Sequence, residues 1–149
     1  MRKTKHPFTH EEFMAIYSQV PRVCVDVIVK KDDGFILTKR AINPGGGFWR
    51  LIGGTVFLNE TLGEAARRIA KEELDIEIEI LKQLGVMEFI NEGGVRHSVS
   101  IAFLVSYKSG TISINDEADD YKIFHEVPEN TIIEHKKFLN KHLKEILNG

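Results

Sequence analysis

Apolar residues recur at helical intervals in three stretches of this chain, and these stretches predict three α-helices. The first is expected near residues 10–19, because Thr9 and Glu12 have the spacing of an N-terminal capping box and apolar residues follow them. The second is expected at 62–74, where small and aliphatic residues form one continuous stripe. The third, at 131–147, carries apolar residues along one face.

Runs of β-branched and alternating residues between these helices predict strands. The turn signal Asp32-Asp33-Gly34 joins the first two strands as a hairpin, and Gly53-Gly54 predicts a tight turn after the irregular stretch 41–47. Strands interrupted by only a few helices predict an α/β (α+β) fold, a mixed β-sheet sandwiched between α-helices, as a single domain over residues 1–149. The strands are expected at 23–29, 35–38, 76–86, 95–107 and 121–124.

One carboxylate in the helix at 62–74 conflicts with the apolar pattern around it. At about 100° per residue, Glu73 falls about 20° from Leu62, near the middle of the apolar stripe. Burying an unpaired charge costs several kcal/mol, so Glu73 is expected to meet something positive. The stripe consists of Leu62, Ala65, Ala66, Ile69, Ala70 and Leu74.

Further carboxylates at the edge of the same helix indicate a metal site. A second capping-box pattern starts this helix, so the preceding loop brings Glu60 close to the face that carries Glu72. Mg2+ prefers oxygen ligands and is usually shared between one or two carboxylates and substrate phosphates. The alternative is a solvated face on which Glu64, Arg68 and Glu72 form i,i+4 pairs. The position of Glu73 on the apolar stripe favours the metal.

Composition narrows the class of protein. The 149 residues carry a formal net charge of -2, without the basic excess that replaces counterions on nucleic acid, so no nucleic-acid partner is expected. Cys24 is the only cysteine, which excludes an intrachain disulfide and fits a reducing cytoplasm. The apolar run 23–29 is too short to span a membrane. We therefore expect a soluble, cytoplasmic protein that acts on a small molecule.

The segment from Gly54 to Ile76 resembles the Nudix box, in which a Gly, a Glu, an Arg, a Glu-Glu pair and an aliphatic residue follow at fixed spacing. The resemblance implies a Nudix fold and a Mg2+-dependent hydrolase, with Mn2+ as a possible substitute, that acts on a nucleotide or nucleotide sugar. It also implies a possible homodimer. By the same resemblance the Gly53 carbonyl, Glu72 and Glu73 would bind the metal, and Arg68 would orient the helix carboxylates. The matching positions are Gly54, Glu60, Arg68, Ala70, Glu72, Glu73 and Ile76.

Two positions depart from the box. Ile69 stands where many members have a Glu that binds metal or acts as the general base, and isoleucine can do neither. Asp75 stands where the box has a Gly, but Asp adopts the left-handed conformation more readily than most residues. The water-activating group must therefore lie outside the box.

The chain is most similar to the GDP-mannose mannosyl hydrolase group of the family, which also lacks that Glu and attacks the sugar carbon. By this resemblance Asp26 would contact the sugar, and the Arg40 guanidinium would bind the diphosphate and stabilise the departing nucleotide. The alternatives are an exposed position on an edge strand for Asp26 and a solvated strand end for Arg40. The matching segments outside the metal positions are Asn43-Pro44-Gly45, Gly47, Trp49, Glu60-Thr61-Leu62, Glu64-Ala65 and Asp119-Asp120-Tyr121.

The catalytic His of that group corresponds to Ala118 in this chain. Glu117, at a metal-ligand position of the group, is expected to bind the metal and to take part in catalysis. Asp119, Asp120 and His97 are further candidates to accept a proton from water. The alternative for the acidic run is a solvated loop.

Three functions remain open at this point. The first is a Mg2+-dependent Nudix hydrolase acting on a nucleoside diphosphate sugar such as GDP-mannose. The second is a pyrophosphohydrolase that cleaves between the phosphates of a (d)NTP or ADP-ribose. The third is a non-catalytic nucleotide-binding module, which the loss of both expected bases favours and the retention of Glu60, Arg68, Glu72 and Glu73 opposes.

Overall fold

The computed structural model describes residues 6–40 and 46–148, so most of the glycine-rich stretch, including Asn43-Pro44-Gly45, lies outside the described residues. Its helices are α1 (His10–Tyr17), α2 (Leu62–Leu74) and α3 (Ile133–Asn148). None of the described helices is long and apolar enough to cross a lipid bilayer. The strands are β1 (Arg22–Lys31), β2 (Gly34–Arg40), β3 (Phe48–Arg50), β4 (Ile52–Thr55), β5 (Glu77–Glu92), β6 (Arg96–Ser109) and β7 (Asp120–Phe124).

Both capping boxes expected from the sequence are present. Thr9 and Glu12 exchange side-chain to backbone hydrogen bonds at the start of α1, and Thr61 and Glu64 do the same at the start of α2. Helix α2 stops at Asp75, which has a φ of 58° in the left-handed region and donates its backbone N–H to carbonyls of the last turn. Asp therefore ends this helix in the way expected of the box Gly.

The described strands form one mixed sheet with β1 at its centre. Strand β1 runs antiparallel to β2 and β4 and parallel to β6, while β5 forms the edge next to β6. The mixed sheet expected from the sequence is confirmed. Strand β5 extends to Glu92, beyond the predicted end at residue 86. Register shifts in its pairing with β6 interrupt the two-residue alternation, so the sequence pattern does not mark the end of the strand.

Gly53 and Gly54 lie within β4, so the predicted tight turn at this pair is wrong. Gly53 pairs with Asp26, and Gly54 pairs with Val25 on β1. A side chain at Gly53 would overlap the Asp26 carboxylate and the Val25 carbonyl. Close packing against β1, and not chain reversal, requires glycine at this position.

The two faces of the sheet carry separate apolar cores. Val25 and Val27 of β1 pack with the buried face of α2, whereas Ile28 packs with Phe138 and Leu139 of α3. Because successive strand residues point to opposite faces, α2 and α3 cover opposite sides of the sheet. This is the sandwich predicted from the sequence. Trp49, Leu51, Ile69 and Ala118 are all buried.

Candidate functional site

A cavity of about 430 Å³ lies between β4, the edge of α2 and the N-terminal segment. Gly53, Glu72, Glu73 and Glu117 all line it. The four positions assigned to the metal by family resemblance therefore meet at one place, although Glu117 comes from the loop before β7. The remaining lining residues are His6, Phe8, Thr9, His10, Phe13, Arg22, Gly54, Thr55, Arg68, Ile69 and Arg96.

Arg68 links the loop before α2 to the helix itself. Its Nε and Nη2 donate to the two carboxylate oxygens of Glu60 at 2.7 and 3.0 Å, a bidentate arrangement. Nη2 also donates to the Thr55 carbonyl at 2.8 Å, and Nη1 to Glu72 Oε2 at 3.3 Å. The guanidinium lies 3.7 Å from the centre of the Phe57 ring. These contacts fix the direction in which Glu72 enters the cavity.

Glu73 projects into the cavity from the apolar face of α2. Its Oε2 accepts a hydrogen bond of 3.2 Å from the Gly53 backbone N–H. Burial, together with the nearby Glu117 carboxylate, raises the pKa of Glu73 well above its ordinary value. Negative charge is therefore unfavourable here in the protein alone, and a cation at this place would relieve it.

The donor set fits a hard divalent cation that keeps water or phosphate oxygens in its coordination sphere. Within residues 6–40 and 46–148, no three His, Cys, Asp or Glu side chains converge closely enough to hold an ion by themselves. The carboxylates of Glu72 and Glu73, with the Gly53 carbonyl and Glu117 on the same cavity, offer only oxygen. Mg2+ is commonly bound by one or two carboxylates that share it with substrate phosphates.

A second cavity, of about 290 Å³, adjoins the first and has Asp26 in its wall. Asp26 lies on the central strand and is 7% exposed, so the alternative of an exposed edge-strand position is wrong. Ser100 Oγ donates a hydrogen bond to Asp26 Oδ2, and His135 Nε2 lies 3.7 Å from Oδ1. The Leu51 backbone N–H donates to His135 Nδ1 at 3.1 Å, which places the proton of a neutral ring on Nε2, facing Asp26.

Burial acts in opposite directions on this pair. It raises the pKa of Asp26, although the His135 ring and the Ser100 hydroxyl oppose the rise. Burial also lowers the pKa of His135, against the attraction of Asp26. Both shifts favour the neutral forms, and the 3.7 Å between His135 Nε2 and Asp26 Oδ1 is beyond direct hydrogen-bonding distance.

The other predicted residues are more scattered. Arg40 is the last residue of β2, pairs with Phe48, and is not among the residues that line either cavity in the described part of the chain. Ile69 and Ala118 are buried. His97 Nε2 is buried without a hydrogen-bond partner among the described residues, and His97 lines a different cavity from that of Glu73.

We call the second cavity, which contains Asp26, the inner cavity. Four residues that line it were not identified from the sequence: Arg22, Arg50, Ser100 and His135. His135 offered a usable signal, because it falls on the apolar stripe of the last helix together with Phe138 and Leu139. His135 is thus a polar residue at an apolar position of a helix, as Glu73 is in α2. Arg22, Arg50 and Ser100 follow strand alternation and offered none.

Comparisons with known proteins agree with this fold. A family model for the Nudix domain matches residues 20–146. The low-salt glycan biosynthesis protein Agl8 of Haloferax volcanii is 34% identical over 76% of this chain and 77% of its own length. The ADP-ribose pyrophosphatase of Methanocaldococcus jannaschii is 31% identical over 83% of this chain and 74% of its own length. A Nudix hydrolase structure from Nitrosomonas europaea superposes with a TM-score of 0.74, at 26% identity over 87% of this chain and 73% of that one.

Proposed function

The chain belongs to the Nudix hydrolase family, and we propose that it hydrolyses a nucleoside diphosphate sugar with the help of Mg2+. The observation that carries the proposal is the meeting of Glu72, Glu73, Glu117 and Gly53 on one cavity. The proposed ligands are the Gly53 carbonyl and the three carboxylates. When bound there, Mg2+ would neutralise charge on the phosphate oxygens of the substrate.

The chain's own residues supply the positioning. Arg68 holds Glu72 at the cavity and has its donors occupied by Glu60, Thr55 and Glu72. We therefore assign Arg68 a positioning role and not a substrate contact. Glu117 enters from outside the box helix, and we assign its carboxylate two tasks, binding the metal and accepting a proton from the attacking water.

A sugar is the favoured second part of the substrate because several polar side chains line the adjoining cavity. Asp26, Ser98, Ser100 and Glu92 line it with carboxylate and hydroxyl groups, which suit a ligand with several hydroxyls. The relative from Haloferax volcanii is named for glycan biosynthesis, which is consistent with a sugar nucleotide. Asp26 is the proposed sugar contact. Arg40 remains a proposed diphosphate contact.

A second candidate is cleavage between phosphates, favoured by the similarity to an ADP-ribose pyrophosphatase. The two reactions differ in the bond that breaks. Attack at the sugar carbon releases a free sugar and a nucleoside diphosphate, whereas attack at phosphorus releases a nucleoside monophosphate and a sugar phosphate. Hydrolysis in labelled water places the label on the sugar in the first reaction and on a phosphate in the second.

The test is product analysis after incubation of the protein with GDP-mannose, ADP-ribose and several (d)NTPs in Mg2+ or Mn2+. We expect metal-dependent release of free sugar from GDP-mannose or a related nucleotide sugar, and its loss in Glu73→Gln. Phosphate-to-phosphate cleavage would establish the second candidate. If no substrate is consumed and nucleotides still raise the Tm, the chain is a binding module and the hydrolase proposal fails.

A further inference from the structure

Arg22, the first residue of β1, lies in the wall between the two cavities and lines both. Its side chain is 17% exposed. Nε donates to Ser98 Oγ at 3.1 Å and Nη1 donates to Thr55 Oγ1 at 3.0 Å. Two neutral hydroxyls on neighbouring strands therefore fix the plane of the guanidinium.

This environment differs from that of Arg68, which also lines the first cavity. Arg68 is bound by two carboxylates and a backbone carbonyl at 2.7 to 3.3 Å. The carboxylate paired with Arg22 in the described residues is Glu92, whose Oε1 lies 3.9 Å from Nη2, beyond hydrogen-bonding distance. The Nη2 protons of Arg22 are thus suited to donate to an anionic oxygen of a ligand.

Arg50, on β3, provides an independent observation at the inner cavity. Its Nη2 is buried and has no hydrogen-bond partner among the described residues. Buried donors without acceptors are uncommon in native proteins, and an absent ligand is one of the explanations for them. Arg50 lines the inner cavity together with Arg22.

We propose that Arg22, at the boundary of the two cavities, and Arg50, in the inner cavity, bind the diphosphate of the substrate. The cavities share Arg22, Gly53 and Gly54. A phosphate at this boundary would therefore be adjacent both to the proposed metal ligands of the first cavity and to the inner cavity. Guanidinium groups bind phosphate oxygens in a planar, two-pronged manner that lysine does not reproduce. This inference rests on the proposed function and names the residues that hold the anionic part of its substrate.

Pyrophosphate is the probe, because it contains the phosphates without the base or the sugar. It is titrated calorimetrically into the wild-type protein with Mg2+ and again with EDTA. We expect Arg22→Ala to weaken binding by about tenfold or more and Arg22→Lys to give an intermediate loss. Arg67→Ala is the matched control, because Arg67 is exposed on α2 and lines neither cavity. It removes the same charge and is expected to leave the affinity unchanged.

Arg50→Lys is chosen over Arg50→Ala because it keeps the positive charge at this partly buried position. Circular dichroism checks the fold of each variant. We expect Arg50→Lys to weaken pyrophosphate binding as well. Equal affinity in wild type, Arg22→Ala and Arg50→Lys, or no pyrophosphate binding by wild type in either buffer, would overturn the inference. Thr55→Val, which removes a hydroxyl that fixes Arg22, is expected to weaken binding less than Arg22→Ala.

Turnover is measured separately, so the two proposals can fail independently. If wild type hydrolyses a nucleotide sugar and Arg22→Ala has the same kcat/KM, the inference fails and the proposed function stands. If wild type hydrolyses nothing and pyrophosphate binding still depends on Arg22, the function fails and the anion site stands.

Discussion

The carboxylate of Asp26 occupies the space in which a side chain of Gly53 would lie, since the two residues pair directly across β1 and β4. On the α2 side, the Gly53 N–H donates to Glu73. A single glycine therefore separates the carboxyl group of the inner cavity from the carboxylate proposed to bind metal.

The first prediction concerns this glycine. Gly53→Ala would place a methyl group against Asp26 Oδ1 and the Val25 carbonyl, and we expect it to lower the free energy of unfolding by about 1–3 kcal/mol. Gly54→Ala is the control, because its methyl group would meet only Ile69 at 3.7 Å, an ordinary contact. Urea unfolding compares the two. Equal stability of the two variants would contradict the packing argument.

The second prediction concerns the charge of Glu73. Because its pKa is raised in the folded protein, the folded state holds a proton that the unfolded state releases, and stability falls as the pH rises above about 4.5 towards the raised pKa. Glu73→Gln removes this penalty. We expect the metal-free variant to have a higher Tm than wild type at pH 7 and a similar Tm below pH 4.

Adding Mg2+ should reverse the order of the two Tm values at pH 7, so that wild type is more stable than Glu73→Gln. Wild type is expected to gain Tm on addition of Mg2+ at pH 7, since binding only the folded state stabilises it, whereas Glu73→Gln should gain little. Melting curves at several pH values, each with Mg2+ and with EDTA, make the measurement. A variant that is less stable than wild type in EDTA at pH 7 would show that burial does not penalise this carboxylate.

The third prediction concerns Arg68. Arg68→Lys keeps the charge but cannot maintain the bidentate pair with Glu60 together with the contacts to Thr55 and Glu72. We expect a loss of about 1–3 kcal/mol in unfolding free energy and weaker Mg2+ binding by calorimetry. Arg67→Lys, one position away and exposed, is the control. Unaltered Mg2+ affinity in Arg68→Lys would remove its proposed role in orienting Glu72.

The fourth prediction concerns His135. Replacing it with Ala leaves the buried Leu51 N–H without its acceptor and removes a partner of Asp26, so we expect a loss of about 1–3 kcal/mol. His125→Ala, at an exposed ring, should change stability little. Chemical denaturation measures the stability of His135→Ala and of the control His125→Ala. The same measurement on Asp26→Asn and on the double variant Asp26→Asn/His135→Ala tests whether the two residues are coupled. Strict additivity of Asp26→Asn and His135→Ala would show that the pair is not coupled.

The sequence predicted α2 residue for residue because every signal for that helix is local. Its capping box, its apolar stripe and its final Asp75 lie within one short segment, and the structure confirms each of them. Glu73 was found for the same reason, since its position on the stripe can be calculated from the helical repeat.

Features set by distant partners were missed. The glycine pair resembles a turn in the sequence, and only the pairing of β4 with β1 shows that Gly53 is required by the carboxylate of Asp26. The contact between Asp26 and His135 joins residues 109 positions apart and carries no local signal. Arg22 likewise could not be identified from the sequence, because the hydroxyls that position it, of Thr55 and Ser98, are distant along the chain.

Helix α1 lies outside the segment that the Nudix family model covers, which begins at residue 20. His6, Phe8 and Phe13 nevertheless form one wall of the cavity that contains Glu73. Water access to that carboxylate, and hence its dielectric surroundings, depends in part on residues that lie outside the box. The box sequence alone therefore does not determine how strongly water screens the proposed cation site.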